Sequence, residues 1–255
     1  MHSLVHNRFG TGVRPDKPDF RDIYFKDTLY KAGLKIDNQI DWTSRIGPCW
    51  DQGDIGSCVA HGVGSLISYV NPGYMPSRLK LYYDGRVIEN TVRIDSGLEI
   101  RDGVKATVTV GVCPESMWAY DTSKFKKKAP ASCYTKASEK FVTKYSRVNN
   151  TIDEMLNCLQ QGSPIVIGAT LYESFESDTV AKNGVVPMPS TREQPIGGHC
   201  TAIYGFDQSK KMFLVRNSWG TDWGIHDGKH NGYYWFPFAY AENTDLCSDL
   251  WMITA

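Results

Sequence analysis

The run CVAHGVGSLISYV, residues 58–70, constrains this chain more than any other stretch: it is apolar enough to be a buried helix, and the turn Asn71-Pro72-Gly73 stops it. A cysteine, Cys58, stands at its head straight after a Gly-Ser pair, in DQGDIGSCVAHGVG. A cysteine in that place either fills space, as buried thiols commonly do, or acts as a nucleophile, because the unpaired N–H groups at a helix start favour an anion. Two further helices are predicted downstream. One runs from Ser77, as N-cap, to Ile88; the other covers Leu98 to about Val110, although the β-branched Val104, Val108 and Val110 oppose it.

Beyond a loop at 121–137 the pattern changes. Phe141 to Val148 reads as a strand, and TIDE at 151–154 has the form of a capping box that opens a short helix ending near Gly162. Short β-rich runs follow between glycines, at Pro164–Thr170, Cys200–Phe206, Met212–Arg216, Gly232–Phe236 and Asp249–Thr254. A helical first half meeting a β-rich second half predicts an α+β protein with two lobes facing one another across a cleft. Residues 1–36 carry Gly10, Gly12, Pro15, Pro18 and scattered charges without a sustained period, and are expected to form an extended arm.

Composition removes several functions. Lys and Arg total 28 and Asp and Glu total 28, so no global field favours nucleic acid or an anionic membrane, and neither is expected as a partner. The opening MHSLVHNRFGTGVRPDKPDF lacks an apolar signal region, and nowhere do eighteen apolar residues run together. None of the seven cysteines forms a CxxC or a ligand-spaced cluster, and His226 and His230 lie among Gly, Asp and Asn in a loop; no metal and no cofactor is expected. The odd cysteine count leaves one thiol free even if all the others pair within the chain.

Two more segments change the weight of Cys58. In GGHCTAIYGFD, residues 197–207, two glycines deliver His199 into a strand-like run, and in VRNSWGTDWG, residues 215–224, Asn217 follows a β-rich run and is flanked by Trp219 and Trp223. A cysteine at a helix start, a distant histidine and an asparagine beyond it are the parts of a thiol triad.

With these segments the chain resembles the papain-like cysteine proteases over roughly residues 37–255. Gln52 precedes Cys58 by six residues as in that family, and His199 and Asn217 follow at nearly the family distance. QGDIGSCVA and PDFRD (residues 18–22) are similar to the bacterial, archaeal and viral branch, as is GVCPESMWAYD, with Ala119 where a proline is usual. The resemblance implies a two-lobed fold with a helical lobe at about 50–130 and a β-barrel-like lobe at about 131–255. It implies an endopeptidase acting on proteins or peptides, with Cys58 as nucleophile, its pKa lowered by the helix start. His199 is then the base, Asn217 its orienting partner and Gln52 an oxyanion donor. Asp95, Ser96 and Gly97 stand where the family's Gly-rich rim would meet substrate. Gly198 lies by an apolar pocket placed near Leu250 to Met252, Trp219 is read as a lid over the His199–Asn217 bond, and Trp223 accompanies it. Ile55 and Val59 replace the Cys and Trp that flank the nucleophile in commoner members, so the disulfide that braces this loop there cannot form. A monomer is expected, intracellular or virion-associated. The arm is expected to restrict the cleft in the manner of a propeptide, with Phe9, Phe20, Ile23, Tyr24 and Phe25 as apolar anchors. Acyl transfer to an amine and a non-catalytic peptide-binding module on the same fold are the competing functions.

Overall fold

A computed structural model describes residues 11–26, 35–139 and 142–254 of the protein. The apolar run becomes helix α1, Cys58–Val70, buried on every side from Cys58 to Tyr69. Such a helix must lie between layers, and α1 does so, with one face on the sheet and the other on α2 (Arg78–Ile88) and α3 (Ile100–Thr109). Gly62 makes the sheet contact close: a Cβ there would lie 3.1 Å from Cys200 Sγ and 3.2 Å from Val166. Ser77 caps α2 as predicted, accepting a bond from the Lys80 N–H at 3.3 Å.

The third helix starts two residues later than expected. Leu98–Glu99 form a short strand paired in parallel with Val13–Arg14 of the arm, and helix begins only at Ile100. The partner that draws Leu98 into extended conformation lies some 85 residues away, beyond the reach of a local pattern. Helix α4, Ala131–Ala137, lies in the predicted loop.

In the second lobe, Thr151 caps helix α5, Ile152–Gln160, accepting from the Glu154 N–H at 3.3 Å. The predicted box closes only halfway, because the Glu154 carboxylate accepts from Asn149 Nδ2 instead, at 2.7 Å. With Val13–Arg14 as β1, Gln39–Asp41 as β2 and Leu98–Glu99 as β3, the remaining strands are β4 (Lys144–Val148), β5 (Ile165–Tyr172), β6 (Pro195–Asp207), β7 (Met212–Arg216), β8 (Tyr233–Pro237) and β9 (Cys247–Thr254). Their order is β4-β9-β5-β6-β7-β8, antiparallel throughout, with β2 on the far half of β6. Among the described residues β4 and β8 do not pair, so the sheet stays open rather than closing as a barrel.

One apolar core fills the β lobe around Phe175, Trp219, Trp223 and Tyr234. A second surrounds α1 and takes in Val166, Cys200, Leu214 and Trp251 from the sheet, so the two lobes share a buried seam. Each large apolar side chain buried there contributes about 1.5–3 kcal/mol relative to exposure. Among the described residues no helix is long and apolar enough to cross a membrane, and all seven cysteines are free and buried.

The arm is anchored by charge, not by rings. Phe20 is fully exposed and Ile23 and Tyr24 are largely so; of the expected anchors only Phe25 packs against the β-lobe core, and Phe9 lies outside the described residues. Arg101 instead grips Asp22 with two bonds of 2.9 and 2.8 Å, while its backbone N–H reaches Asp16 at 3.0 Å. Asp16 also accepts from Trp251 Nε1 at 2.8 Å, and Arg147 bridges Asp16, Asp22 and Asp249. The aspartate that closes PDFRD is therefore half of a buried ion pair.

Candidate active site

Three chain segments converge where the arm crosses between the lobes. The first is the loop before α1, which carries Gln52 and ends at Cys58, the first residue of the helix. Gln52 is fully buried and held at four atoms. Its backbone N–H donates to Ser218 O at 2.9 Å, its carbonyl accepts from Tyr120 OH at 2.7 Å, its Oε1 accepts from Ser218 Oγ at 2.6 Å, and its Nε2 donates to Ile55 O at 2.9 Å. With Oε1 committed to a donor, the amide has a defined orientation, nitrogen toward the head of α1.

The second segment is β6, which delivers His199. Its Nε2 lies 2.8 Å from Asn217 Oδ1, and that oxygen also accepts from the Ser218 N–H at 2.8 Å. Because Oδ1 only accepts, Nε2 carries the proton and Nδ1 presents its lone pair. Nδ1 is buried without a hydrogen-bond partner. The imidazole stacks on Trp219, with centroids 4.9 Å apart and planes at 29°, so Trp219 covers the ring as the sequence suggests.

The third segment is the arm. The Gly12 N–H donates to Gly198 O at 3.0 Å on one wall, and Gly12 O accepts from the Leu98 N–H at 2.7 Å on the other. Glycines make this passage possible: a Cβ on Gly12 would sit 2.3 Å from Gly56 O, one on Gly97 1.8 Å from Gly12 O, and one on Gly198 2.6 Å from Val13 O. Beside the crossing lies a groove of about 410 Å3, lined by Val13 and Pro15 of the arm and by Ala169, Gly198, Leu246 and Cys247. In the stretch where an apolar pocket is expected, Leu250 and Trp251 are wholly buried, and the groove is bordered by Thr244 to Asp249 just before them.

Enclosure sets the electrostatics. Burial pushes the Cys58 thiol up to about 11, against the downward pull of the backbone N–H groups of Cys200, Gly12, Val59 and Cys58 itself. Burial likewise drives the His199 imidazole down to about 4, which the Asn217 hydrogen bond only partly offsets. Both shifts run against the thiolate expected at the helix start. For the thiol, desolvation outweighs the helix terminus, and both shifts favour the uncharged forms.

The rim residues behave differently from one another. Gly97 touches the arm, whereas the Asp95 carboxylate turns inward to accept from the Gly56 N–H, at 3.1 and 3.0 Å, and from Tyr82 OH. Ser96 bonds to Thr91 Oγ1 at 2.9 Å and to Gly97 O, so its side chain serves the loop, not the cleft. Trp223 is a core residue, 4% exposed and stacked on Phe175 at 5.5 Å; it supports Trp219 from behind and does not line the cleft. His226 and His230 do not converge, since His230 bonds Asp227 and Asp41 while His226 faces Ala181 O. Sequence reasoning missed Ser218, which links Gln52 to Asn217, and Tyr120. Only their adjacency to Asn217 and their place in WAYD hinted at either.

The sequence profile of the papain family cysteine proteases matches residues 96–246. An uncharacterised peptidase C1-like protein of Acanthamoeba polyphaga mimivirus is 40% identical over 217 residues, which span 80% of this chain and 68% of that protein. The crystal structure of xylellain, a cysteine protease from Xylella fastidiosa, superposes with a TM-score of 0.88 at 34% identity, covering 97% of each chain. Digestive procathepsin L 3 from the larval midgut of Tenebrio molitor shares the fold alone, with a TM-score of 0.71 at 14% identity over 98% of this chain and 76% of that one.

Proposed function

The chain belongs to the papain family of cysteine proteases, and on that premise we propose that it hydrolyses peptide bonds in proteins or peptides through an acyl-enzyme on Cys58, restrained by its own N-terminal arm. Residues 37–255 are then the peptidase unit, with a helical lobe at about 50–130 and a β-rich lobe at about 131–255, and residues 1–36 are the arm. One observation carries the reading. The arm backbone crosses the cleft at Gly12, bonded to Gly198 O next to His199 and to the Leu98 N–H on the other side, with its own N–H against the Cys58 thiol.

With the arm displaced and water admitted, His199 Nδ1 takes the thiol proton of Cys58, while Nε2–H stays on Asn217 Oδ1 and holds the ring plane. The thiolate attacks the scissile carbonyl carbon. Charge passes to oxygen, where the Gln52 amide and the Cys58 N–H stabilise it, and loss of one such donor typically costs about 2.7–4 kcal/mol. The C–N bond breaks as imidazolium returns its proton to the leaving amine. Water, deprotonated by Nδ1, then hydrolyses the thioester and frees Cys58. The substrate backbone uses the polar groups of Gly198 and the Gly97–Leu98 rim that the arm now occupies. A backbone N–H of Gly12 faces the thiol, so a substrate must displace the arm to reach Cys58.

The test is intact mass after treatment with an epoxysuccinyl inhibitor, with the adduct mapped, on the full chain and on a chain starting at Ile36 once both are shown to be folded. The reading expects an adduct on Cys58 that forms faster without the arm. An adduct on Cys113 or Cys200 contradicts the nucleophile, and equal rates contradict the restraint.

A further inference from the structure

The loop that carries Gln52 has no disulfide, since Ile55 stands where one would attach and all seven cysteines are free. A buried polar chain runs behind it instead. The Tyr120 hydroxyl donates its single proton to Gln52 O at 2.7 Å, so the 2.6 Å contact with Ser57 Oγ must have Ser57 as donor. The His61 Nδ1–H is then shared between Ser57 O at 3.1 Å and Ser57 Oγ at 3.3 Å, and His61 Nε2, left with a lone pair, accepts from an Arg78 N–H at 3.3 Å. Arg78 is fixed by Glu115 at 2.7 Å, and Glu115 also accepts from the Tyr120 backbone N–H at 2.8 Å. The chain closes on itself, and its directions follow from Arg78, which can only donate, and Gln52 O, which can only accept. His61 stays neutral within it, since burial and the neighbouring Arg78 push its pKa down to about 3.

We propose that Tyr120 is a positioning residue for the oxyanion site. It ties the main chain of Gln52 to the side chain of Ser57, the residue before the nucleophile, and so sets the spacing between the Gln52 amide and the Cys58 N–H. The inference rests on the oxyanion role given to Gln52 above. It separates from a merely structural role because alkylation of Cys58 by iodoacetamide develops no oxyanion, whereas peptide hydrolysis does. A slackened donor pair therefore slows turnover and leaves alkylation alone.

The experiment is a double-mutant cycle of Tyr120→Phe and Gln52→Ala in the full chain after arm release, with Ser57→Ala as a second way of cutting the same link. Tyr120→Phe is expected to lower kcat about tenfold with KM and the iodoacetamide rate unchanged, and to add little further loss in the Gln52→Ala background. Ser57→Ala is expected to repeat that pattern. Full additivity, an equal loss in alkylation, or no loss in kcat for both Tyr120→Phe and Ser57→Ala overturns the proposal. If Gln52→Ala itself costs nothing, the oxyanion assignment fails first, and the cycle shows which of the two has failed.

Discussion

Gln52 and His199 are joined through Ser218 and Asn217, yet the groups that hold each of them differ in kind. Gln52 is held at four atoms by hydrogen bonds from Ser218, Tyr120 and its own loop. His199 has one side-chain hydrogen bond, to Asn217, and otherwise rests on rings: Trp219 stacked on it, with Phe175 and Trp223 edge-on to Trp219 at 5.5 and 5.0 Å. Each setting suits the task proposed for its residue. A donor pair that meets a developing oxyanion needs fixed angles, which hydrogen bonds supply. A base needs its plane fixed and its far nitrogen left to move a proton, and an apolar wall does that while disfavouring the charged ring when water is excluded. Damage to the polar wall should therefore appear as lost rate, and damage to the aromatic wall as lost stability.

The sharpest break comes from the proposed nucleophile. Cys58→Ala should abolish peptide turnover with an unchanged circular-dichroism spectrum and at most a small change in melting temperature; residual cleavage at a measurable rate would remove Cys58 from the chemistry. On the aromatic wall, Trp219→Ala should destabilise the fold by about 3–5 kcal/mol, read from the denaturant midpoint, because it empties a ring-lined site. On the polar wall, Gln52→Ala should cost about 2.7–4 kcal/mol in kcat/KM and less than Trp219→Ala in stability. If the two substitutions reversed that order, the contrast between the walls would be lost.

A smaller effect follows from protonation. His61 and His199 are buried with pKa values pushed down, to about 3 and about 4, from the usual 6.5. Their contribution to stability is fully present above pH 6.5. As pH falls from 6.5 toward 4, the unfolded chain takes up protons that the buried rings refuse, and the midpoint of unfolding should drop. His61→Gln should flatten part of that slope, as followed by melts across this range; an unaltered slope would mean the ring titrates normally.

The features legible in the sequence share one property, a local signal. Helix α1 was visible in an unbroken apolar run and its Asn-Pro-Gly stop, α2 in its Ser77 cap, and Cys58, His199, Asn217 and Gln52 in short motifs with family spacing. What stayed hidden depends on partners far along the chain. Leu98–Glu99 reads as helix until the arm supplies a strand. Gly12 reads as punctuation, although its lack of a side chain is what lets the arm pass between Gly56 and Gly97. Phe20, Ile23 and Tyr24 look like anchors because they are apolar, yet the arm is secured by Asp16 and Asp22 on Arg101 and Arg147, charges whose pairing no periodicity announces. The thiol at the head of α1 reads as activated, whereas burial in the folded chain pushes its pKa the other way.

That reversal is the centre of the account, and a single substitution tests it. Gly12→Val leaves the peptidase unit intact but places a side chain where the Cβ alone would lie 2.3 Å from Gly56 O, so the arm cannot seat. The measurement is the rate of iodoacetamide alkylation of Cys58 against pH in the full chain and in this variant. The account predicts slow alkylation of the full chain at neutral pH, rising only in alkaline solution because burial holds the thiol's pKa up, and fast alkylation of Gly12→Val already near neutrality as the ion pair with His199 forms in water. Superimposable profiles in the two proteins would contradict it.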